Sequence, residues 1–420
     1  MVRILIASLA FGAVAVAQPA GANYDESKVP KYTLPDPLVM KDGGRVRDAK
    51  TWVNRRRPEV FELLETQMFG RAPGRPQQMT FELASVDKGA LGGKAVRKEI
   101  AINVSGRVLN LLLYLPADAR GKVPVFIGLN FDGNQTIHAD PAIRLAQVWR
   151  MDRERKKPVV QTAPADSRGS AAHQWQLDKI IARGYGLATI HYGDIEPDFD
   201  GMIQKSVRAH YLKPGETGPG PDDWGALGAW AWGLSRAVDY LETDPAVDAK
   251  RIAVMGHSRL GKTALWAGAS DQRFALVISN DSGEGGAAIS HRPFGETVKD
   301  LNTRFPHWFC GNYKQYSGRE SEMPFDSHML IALMAPRPVY IASAQEDLWA
   351  DPKGEFLGGV AASPVYALFG KKGIATQAMP GIHQPVGDTV RYHVRAGKHD
   401  VTEYDWEQYL NFADEQFRGK

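Results

Sequence analysis

Ser258 stands in Arg251-Ile-Ala-Val-Met-Gly-His-Ser-Arg-Leu-Gly-Lys-Thr-Ala, a stretch whose residue types and spacing could do chemistry. A short apolar run ends in Gly256, and small residues from Thr263 onward read as a helix. A strand, a tight turn with serine at its apex and a helix together make a nucleophile elbow. Small flanking residues let strand and helix approach while the hydroxyl projects outward. The spacing departs from strict Gly-x-Ser-x-Gly, because Leu260 takes the place of the second glycine and Gly261 follows one later. The plain alternative is a serine that only caps a helix. Gly256 to Thr263 also matches the phosphate-loop pattern G-x-x-x-x-G-K-[ST]. An export signal and the lack of an aspartate-ended strand suited to Mg²⁺ weigh against a nucleotide.

A serine hydroxyl is a weak nucleophile and needs a base, itself oriented by a third group. Both follow Ser258 in the chain. The strand-like residues 338–343 lead into a loop holding Glu346, Asp347 and Asp351, of which Asp347 is the preferred orienting acid. A later strand ends at Gly397, and His399 lies between it and the final helix, where a base can reach over the elbow. His383 and His393 compete for that role; His393 falls inside the strand and reads as packed, and His383 follows Pro380-Gly381 in a loop. The order serine, acid, histidine is that of α/β-hydrolases. The remaining histidines lack metal-ligand spacing and no Gly-rich dinucleotide cradle is present, so neither metal nor cofactor is expected.

The elements that must hold these residues follow from periodicity. Residues 96–104 and 108–115 flank a Ser105-Gly106 hairpin signal. Residues 123–129 form an unbroken apolar run, as expected for a strand buried on both faces of a parallel sheet. Residues 79–86, 187–191, 252–255, 276–279, 339–342 and 390–394 also read as strands, and 56–69 and 226–241 as helices. Strands alternating with helices predict an α/β fold: an α/β-hydrolase three-layer sandwich with a mostly parallel central sheet. Residues 130–175 and 194–224 follow core strands, where open α/β sheets place their crevice, and are expected to be loop insertions walling the site. Solvated surface is an equal reading of the basic run 150–157.

The chain has 420 residues, 43% hydrophobic and 24% charged, with a net charge of +3. That charge is too small to argue for nucleic acid or an anionic membrane. Arg3 and the apolar residues 4–17, ending in Ala15-Val16-Ala17, read as a signal peptide cleaved after residue 17. Residues 18–420 are then expected to form one catalytic domain with an extended N-terminal arm, secreted or periplasmic, without a lasting membrane anchor, and monomeric. Cys310 is the only cysteine, so no internal disulfide can form, and a buried apolar role is expected of it.

Several blocks go beyond a generic hydrolase. Gly256-His-Ser-Arg-Leu-Gly-Lys262 resembles the Gly-Cys-Ser-Arg-x-Gly-Lys elbow of glucuronoyl esterases. Asn280 to Gly286, Arg304 to Phe309, Ala335 to Pro338, Asp347 to Pro352 and Gly397 to Thr402 resemble blocks of that family's bacterial branch. The resemblance implies a serine esterase acting on the ester between 4-O-methyl-glucuronic acid on glucuronoxylan and lignin alcohols. It places the nucleophile at Ser258, the base at His399 and an oxyanion-stabilising arginine at Arg259. A structural ion pair with a nearby carboxylate is the alternative for Arg259. The resemblance implies uronate binding by Lys262 and Glu296 and an aromatic wall at Trp349, which could equally be plain core. It leaves the acid at either Asp347 or Asp281, with Asp347 preferred and Glu284 a lesser candidate. His257 replaces the family's frequent cysteine and is expected to point away from the substrate. The alternatives are another carbohydrate esterase, such as an acetyl-xylan esterase, and an inactive carbohydrate-binding homologue.

Overall fold

The computed structural model describes residues 21–104 and 106–418. The signal peptide expected over residues 1–17 lies outside them. Among the described residues no helix is long and apolar enough to cross a membrane.

The strands are β1 (Met79–Ala90), β2 (Ala95–Val104), β3 (Arg107–Pro116), β4 (Val123–Asn130), β5 (Gln147–Asp152), β6 (Lys157–Thr162), β7 (Gly186–His191), β8 (Val247–His257), β9 (Phe274–Asn280), β10 (Val339–Ala344), β11 (Val386–Gly387) and β12 (Val390–Arg395). Ten of them form one sheet in the order β1-β2-β3-β7-β4-β8-β9-β10-β12-β11. The first three pair antiparallel, and the run from β7 to β12 is parallel throughout. The apolar run of β4 is buried at all eight positions. Edge strand β1 pairs only with β2 and leaves Leu83 and Val86 exposed.

Alternation along the parallel strands sends side chains to two separate cores. In β8, Ile252 and Val254 face one and Ala253 and Met255 the other; in β10, Val339 and Ile341 oppose Tyr340 and Ala342. The first core is closed by helices Ala226–Leu241, Arg259–Ser270 and Pro352–Ala367, through residues such as Trp230, Leu265 and Phe356. The second is closed by Leu177–Ala182 and Glu403–Arg418, through Ile180, Trp406 and Phe412. A sheet buried on both faces between helices is the three-layer α/β sandwich expected from the alternation.

Residues 130–175 are not loop alone, because β5 and β6 pair there as a separate hairpin. Its basic residues interrupt the apolar alternation that would have marked two strands. The parallel strands β8, β9, β10 and β12 are neighbours and point the same way. Their carboxyl ends therefore deliver Ser258, Asp281, Asp347 and His399 to one edge of the sheet.

Candidate active site

Ser258 joins β8 to the helix Arg259–Ser270 with φ +59 and ψ −131, a conformation that non-glycine residues rarely hold. Its N–H donates to the Asn280 carbonyl at 2.9 Å, and its own carbonyl accepts from Gly261 at 2.8 Å. A Cβ on Gly256 would lie 1.9 Å from the Leu260 carbonyl oxygen. One on Gly261 would come within about 3 Å of Ser282 and the Asn280 carbonyl. The close approach usually served by the second glycine thus falls at position 261, while Leu260 is turned into the core. Lys262 lies inside the helix and donates to the Ser282 carbonyl at 2.6 Å, so these residues form no phosphate-cradling loop.

His399 follows β12, and its Nδ1 lies 2.6 Å from Asp347 Oδ2. Asp347 is nearly buried and follows β10. The two loops are tied beyond their strands, where Gln345 N–H donates to the Arg395 carbonyl and Glu346 N–H to that of Gly397. The His399 ring rests 4.4 Å, centroid to centroid, from the ring of His257, the residue before Ser258. That contact sets the imidazole beside the residue that precedes Ser258.

Asp281 comes to the same place without that bond. One ligand atom each from Asp281, Asp347 and His399 lie within 4.8 Å of one another. Asp281 Oδ1 accepts instead from Ala344 N–H at 2.7 Å, and its Oδ2 from Arg395 at 3.3 Å. Burial and the adjacent Asp347 carboxylate push the Asp281 pKa well above the ordinary range, opposed by Arg395. A cation would have to displace the existing His399–Asp347 hydrogen bond, so the cluster suits a base and its acids better than a metal.

The other sequence candidates lie elsewhere. Glu284 is buried against the Ser290 hydroxyl, Asp351 pairs with Arg292, and Glu346 is exposed. His393 is packed inside β12 between the Tyr340 hydroxyl and Asp405. His383 lies at the surface. Cys310 is buried, and burial raises its thiol pKa to about 11.

Arg259 begins the helix after the elbow, its guanidinium 5.0 Å from the Trp308 ring and 5.6 and 5.7 Å from Phe131 and Phe305. One terminal nitrogen pairs with Asp198, while Nε is buried with no hydrogen-bond partner among the described residues. Asp198 also accepts from His307 Nε2 at 2.9 Å and Trp308 Nε1 at 2.7 Å. Burial works against its charge, yet His307 and Arg259 hold its pKa down to about 2. The ion pair considered from sequence therefore exists, and it still leaves the Nε–H unspent.

Lys262 reaches Glu296 Oε2 at 3.7 Å, and Arg304 reaches Glu296 Oε1 at 3.9 Å. Burial pushes the Lys262 pKa down and that of Glu296 up, each opposed by the other's charge. Trp349 is half-buried rather than core; the Arg304 guanidinium lies 5.5 Å above its ring, and its carbonyl accepts from Glu296 N–H. Lys262, Glu296 and Trp349 thus form one wall of charged and aromatic groups.

Sequence reasoning missed three features. Asp198 sits inside the 194–224 insertion, where no local pattern marks it. Arg395 bonds the carbonyls of Ala396, Lys398 and Asp400, as well as Asp405 and Asp281, and so holds both sides of the His399 loop. His257 packs on His399, a contact not foreseen for it. Burial and the neighbouring His399 push the His257 pKa down to about 3, and its Nδ1 lies 2.6 Å from Asn280 Oδ1. Asn280 Nδ2 donates to the Tyr409 hydroxyl, which leaves Oδ1 to accept from a neutral His257.

Residues 219–370 match the family described as glucuronyl esterase, fungi. A glucuronoyl esterase of Solibacter usitatus is similar in structure, with a TM-score of 0.89 and 57% identity over 93% of this chain and 100% of that one. A promiscuous CE15 esterase from a marine bacterial metagenome has a TM-score of 0.87 and 51% identity over 94% and 100%. The 4-O-methyl-glucuronoyl methylesterase of Schizophyllum commune is 27% identical over 380 residues, 87% of this chain and 81% of that one.

The buried His257 makes a checkable contribution to stability. Its folded pKa of about 3 lies below the unfolded value near 6.5, so the unfolded chain binds the extra proton as pH falls through 6.5. Stability present at pH 7.5 is lost on the acid side. Between pH 7.5 and 4.5 the wild type should lose roughly 2–3 kcal/mol more than His257→Asn in urea unfolding. Parallel pH profiles of the two proteins would contradict the neutral, buried assignment.

Proposed function

The chain belongs to the glucuronoyl esterase family, and on that footing we propose that it is a serine esterase cleaving the ester between (4-O-methyl-)glucuronic acid of glucuronoxylan and lignin-type alcohols. The observation that carries the mechanism is the 2.6 Å contact of His399 Nδ1 with Asp347, on a ring packed at a tilt against His257, the residue before Ser258. An Nδ1 proton donated to Asp347 leaves Nε2 free to take the proton of Ser258 Oγ. The serine attacks the ester carbonyl, and the oxyanion is met by the Arg259 backbone N–H and the unspent Nε–H. Asp198 fixes the guanidinium for that task. His399 then protonates the departing alcohol, and water, activated the same way, releases the uronic acid.

Lys262 and Glu296 are taken to bind uronate hydroxyls, and Trp349 to cover an apolar pyranose face. Asp281 is taken as a support rather than the orienting acid, because a carboxyl whose ionisation is opposed by burial and by Asp347 is a poor counter-charge. The chain is read as acting after export, with residues 18–420 as one monomeric catalytic domain and no cofactor. A second reading has one specific observation behind it: a relative 51% identical is described as promiscuous. Simple or acetylated esters would then share the serine without using the sugar wall.

Ser258→Ala tests the nucleophile. Its hydrolysis of a methyl glucuronate ester should fall by about 10³-fold or more with unchanged folding by circular dichroism. Activity near that of the wild type would remove Ser258 from the mechanism.

For the acid, Asp347→Asn is expected to lower kcat by about 10⁴-fold, as when a triad aspartate becomes its amide, and Asp281→Asn by far less. A reversed ranking in steady-state kinetics would move the orienting role to Asp281.

Sugar contacts made equally in ground and transition states alter KM more than kcat. Lys262→Ala should therefore raise KM for the glucuronate ester and leave an aryl acetate hydrolysed as before. Equal losses on both would mean that Lys262 serves only the elbow, through its bond to the Ser282 carbonyl.

A further inference from the structure

We propose that the N-terminal segment Asn23–Glu26 is a positioning element of the sugar wall, holding the loops that carry Glu296 and Trp349 in register; the role of that wall rests on the reading above. Three stretches of chain are laced side by side. Gly295 N–H donates to the Asn23 carbonyl at 2.8 Å, and Asn23 Nδ2 donates to the Pro293 carbonyl at 3.0 Å. The next residue, Glu296, donates its N–H to the Trp349 carbonyl at 3.0 Å. Gly295 sits between the two at φ +67, where a Cβ would lie 2.5 Å from the Trp349 oxygen and 2.6 Å from that of Leu348. The two loops thus touch backbone to backbone, with the arm on the far side of the first.

Glu26 clamps their outer ends. Its carboxylate pairs with Arg292, which is buried, and with Lys353 at 2.7 Å; Arg292 in turn pairs with Asp351 at 2.8 Å. One side chain of the arm thereby joins residues 292 and 351–353, just outside Glu296 and Trp349. Between these anchors Tyr24 sets its ring edge-on to Phe294 at 6.1 Å, and its buried hydroxyl has no partner. Burial and the negative charges of Asp300, Asp347 and Glu296 raise the pKa of that phenol, in keeping with a place beside the same wall.

Glu296 lies outside any helix or strand and Trp349 in a single 3-10 turn, Leu348–Ala350, so each depends on its neighbours to keep its side chain in place. Ser258 and His399 stand outside both loops, and Asp347, which shares a loop with Trp349, is tied separately through the bonds of Gln345 and Glu346 to the Arg395 and Gly397 carbonyls and through His399. Loss of the arm should loosen recognition of the sugar and leave the chemistry intact.

The test is the double variant Asn23→Ala/Glu26→Ala in the full chain, with Glu26→Gln alone used if the double variant does not fold. KM for a methyl glucuronate ester should rise about five-fold or more, with kcat and aryl acetate hydrolysis within about two-fold of wild type. Amide exchange at Gly295, Glu296 and residues 348–351 should quicken by about ten-fold while the core strands keep their protection. Unchanged KM and unchanged exchange would overturn the proposal, as would equal losses on both esters. If the wild type does not prefer the glucuronate ester, the functional reading fails, and the exchange data still decide whether the arm positions the loops.

Discussion

The site depends on one strained backbone position. A non-glycine residue held at φ +59 and ψ −131 costs about 1–3 kcal/mol and persists only where its surroundings over-determine it. Around Ser258 they do. β8 is inserted between β4 and β9, the Ser258 N–H is bound to the end of β9, and the following helix lies against a strand end that tolerates no side chain at Gly256. The scaffold thus fixes the backbone of Ser258 between strand and helix.

Charge is managed around that turn by pairing each buried group with a specific partner. Asp198 is kept ionised by donors on three sides and so can hold Arg259. His257 is kept neutral, so its ring can lie against His399 without a charge of its own. Asp281 is pushed toward its neutral form beside Asp347. Two carboxyls a few ångströms apart cannot both ionise cheaply, and their environments separate them: Asp347 bonds His399, while Asp281 bonds Arg395 and the backbone. Arg395 links this pair to the His399 loop and to Asp405, at the start of the last helix. Position and protonation thus share one buried network.

The wall of Lys262, Glu296 and Trp349 is built differently. Glu296 and Trp349 stand on loops beyond the sheet, steadied by backbone contacts and ion pairs with neighbouring segments. Asp347 and Trp349 share one loop, which is tied at one end to the His399 loop and at the other to Glu296.

Much of this was legible in the sequence by itself, and the reason is local. An elbow needs a strand, small residues and a helix within about fifteen positions, and β8 with its following helix supplies them in Arg251 to Gly268. The unbroken apolar run of β4 announces a strand buried on both faces, and the chain order Ser258, Asp347, His399 matches the order of parallel strands that carry them. What tertiary structure decided is whatever arises between distant segments. One such fact is that Asp347 meets His399 Nδ1 and Asp281 meets Arg395, with both acids at the ends of adjacent strands. Asp198 lies 61 positions from Arg259, in an insertion without periodicity, so nothing local ties the two. The hairpin of β5 and β6 escaped notice because its exposed polar residues have no core to pattern them. Hydrophobic periodicity records which residues are buried; it does not record which buried charge faces which, because that depends on a register set only when the sheet closes.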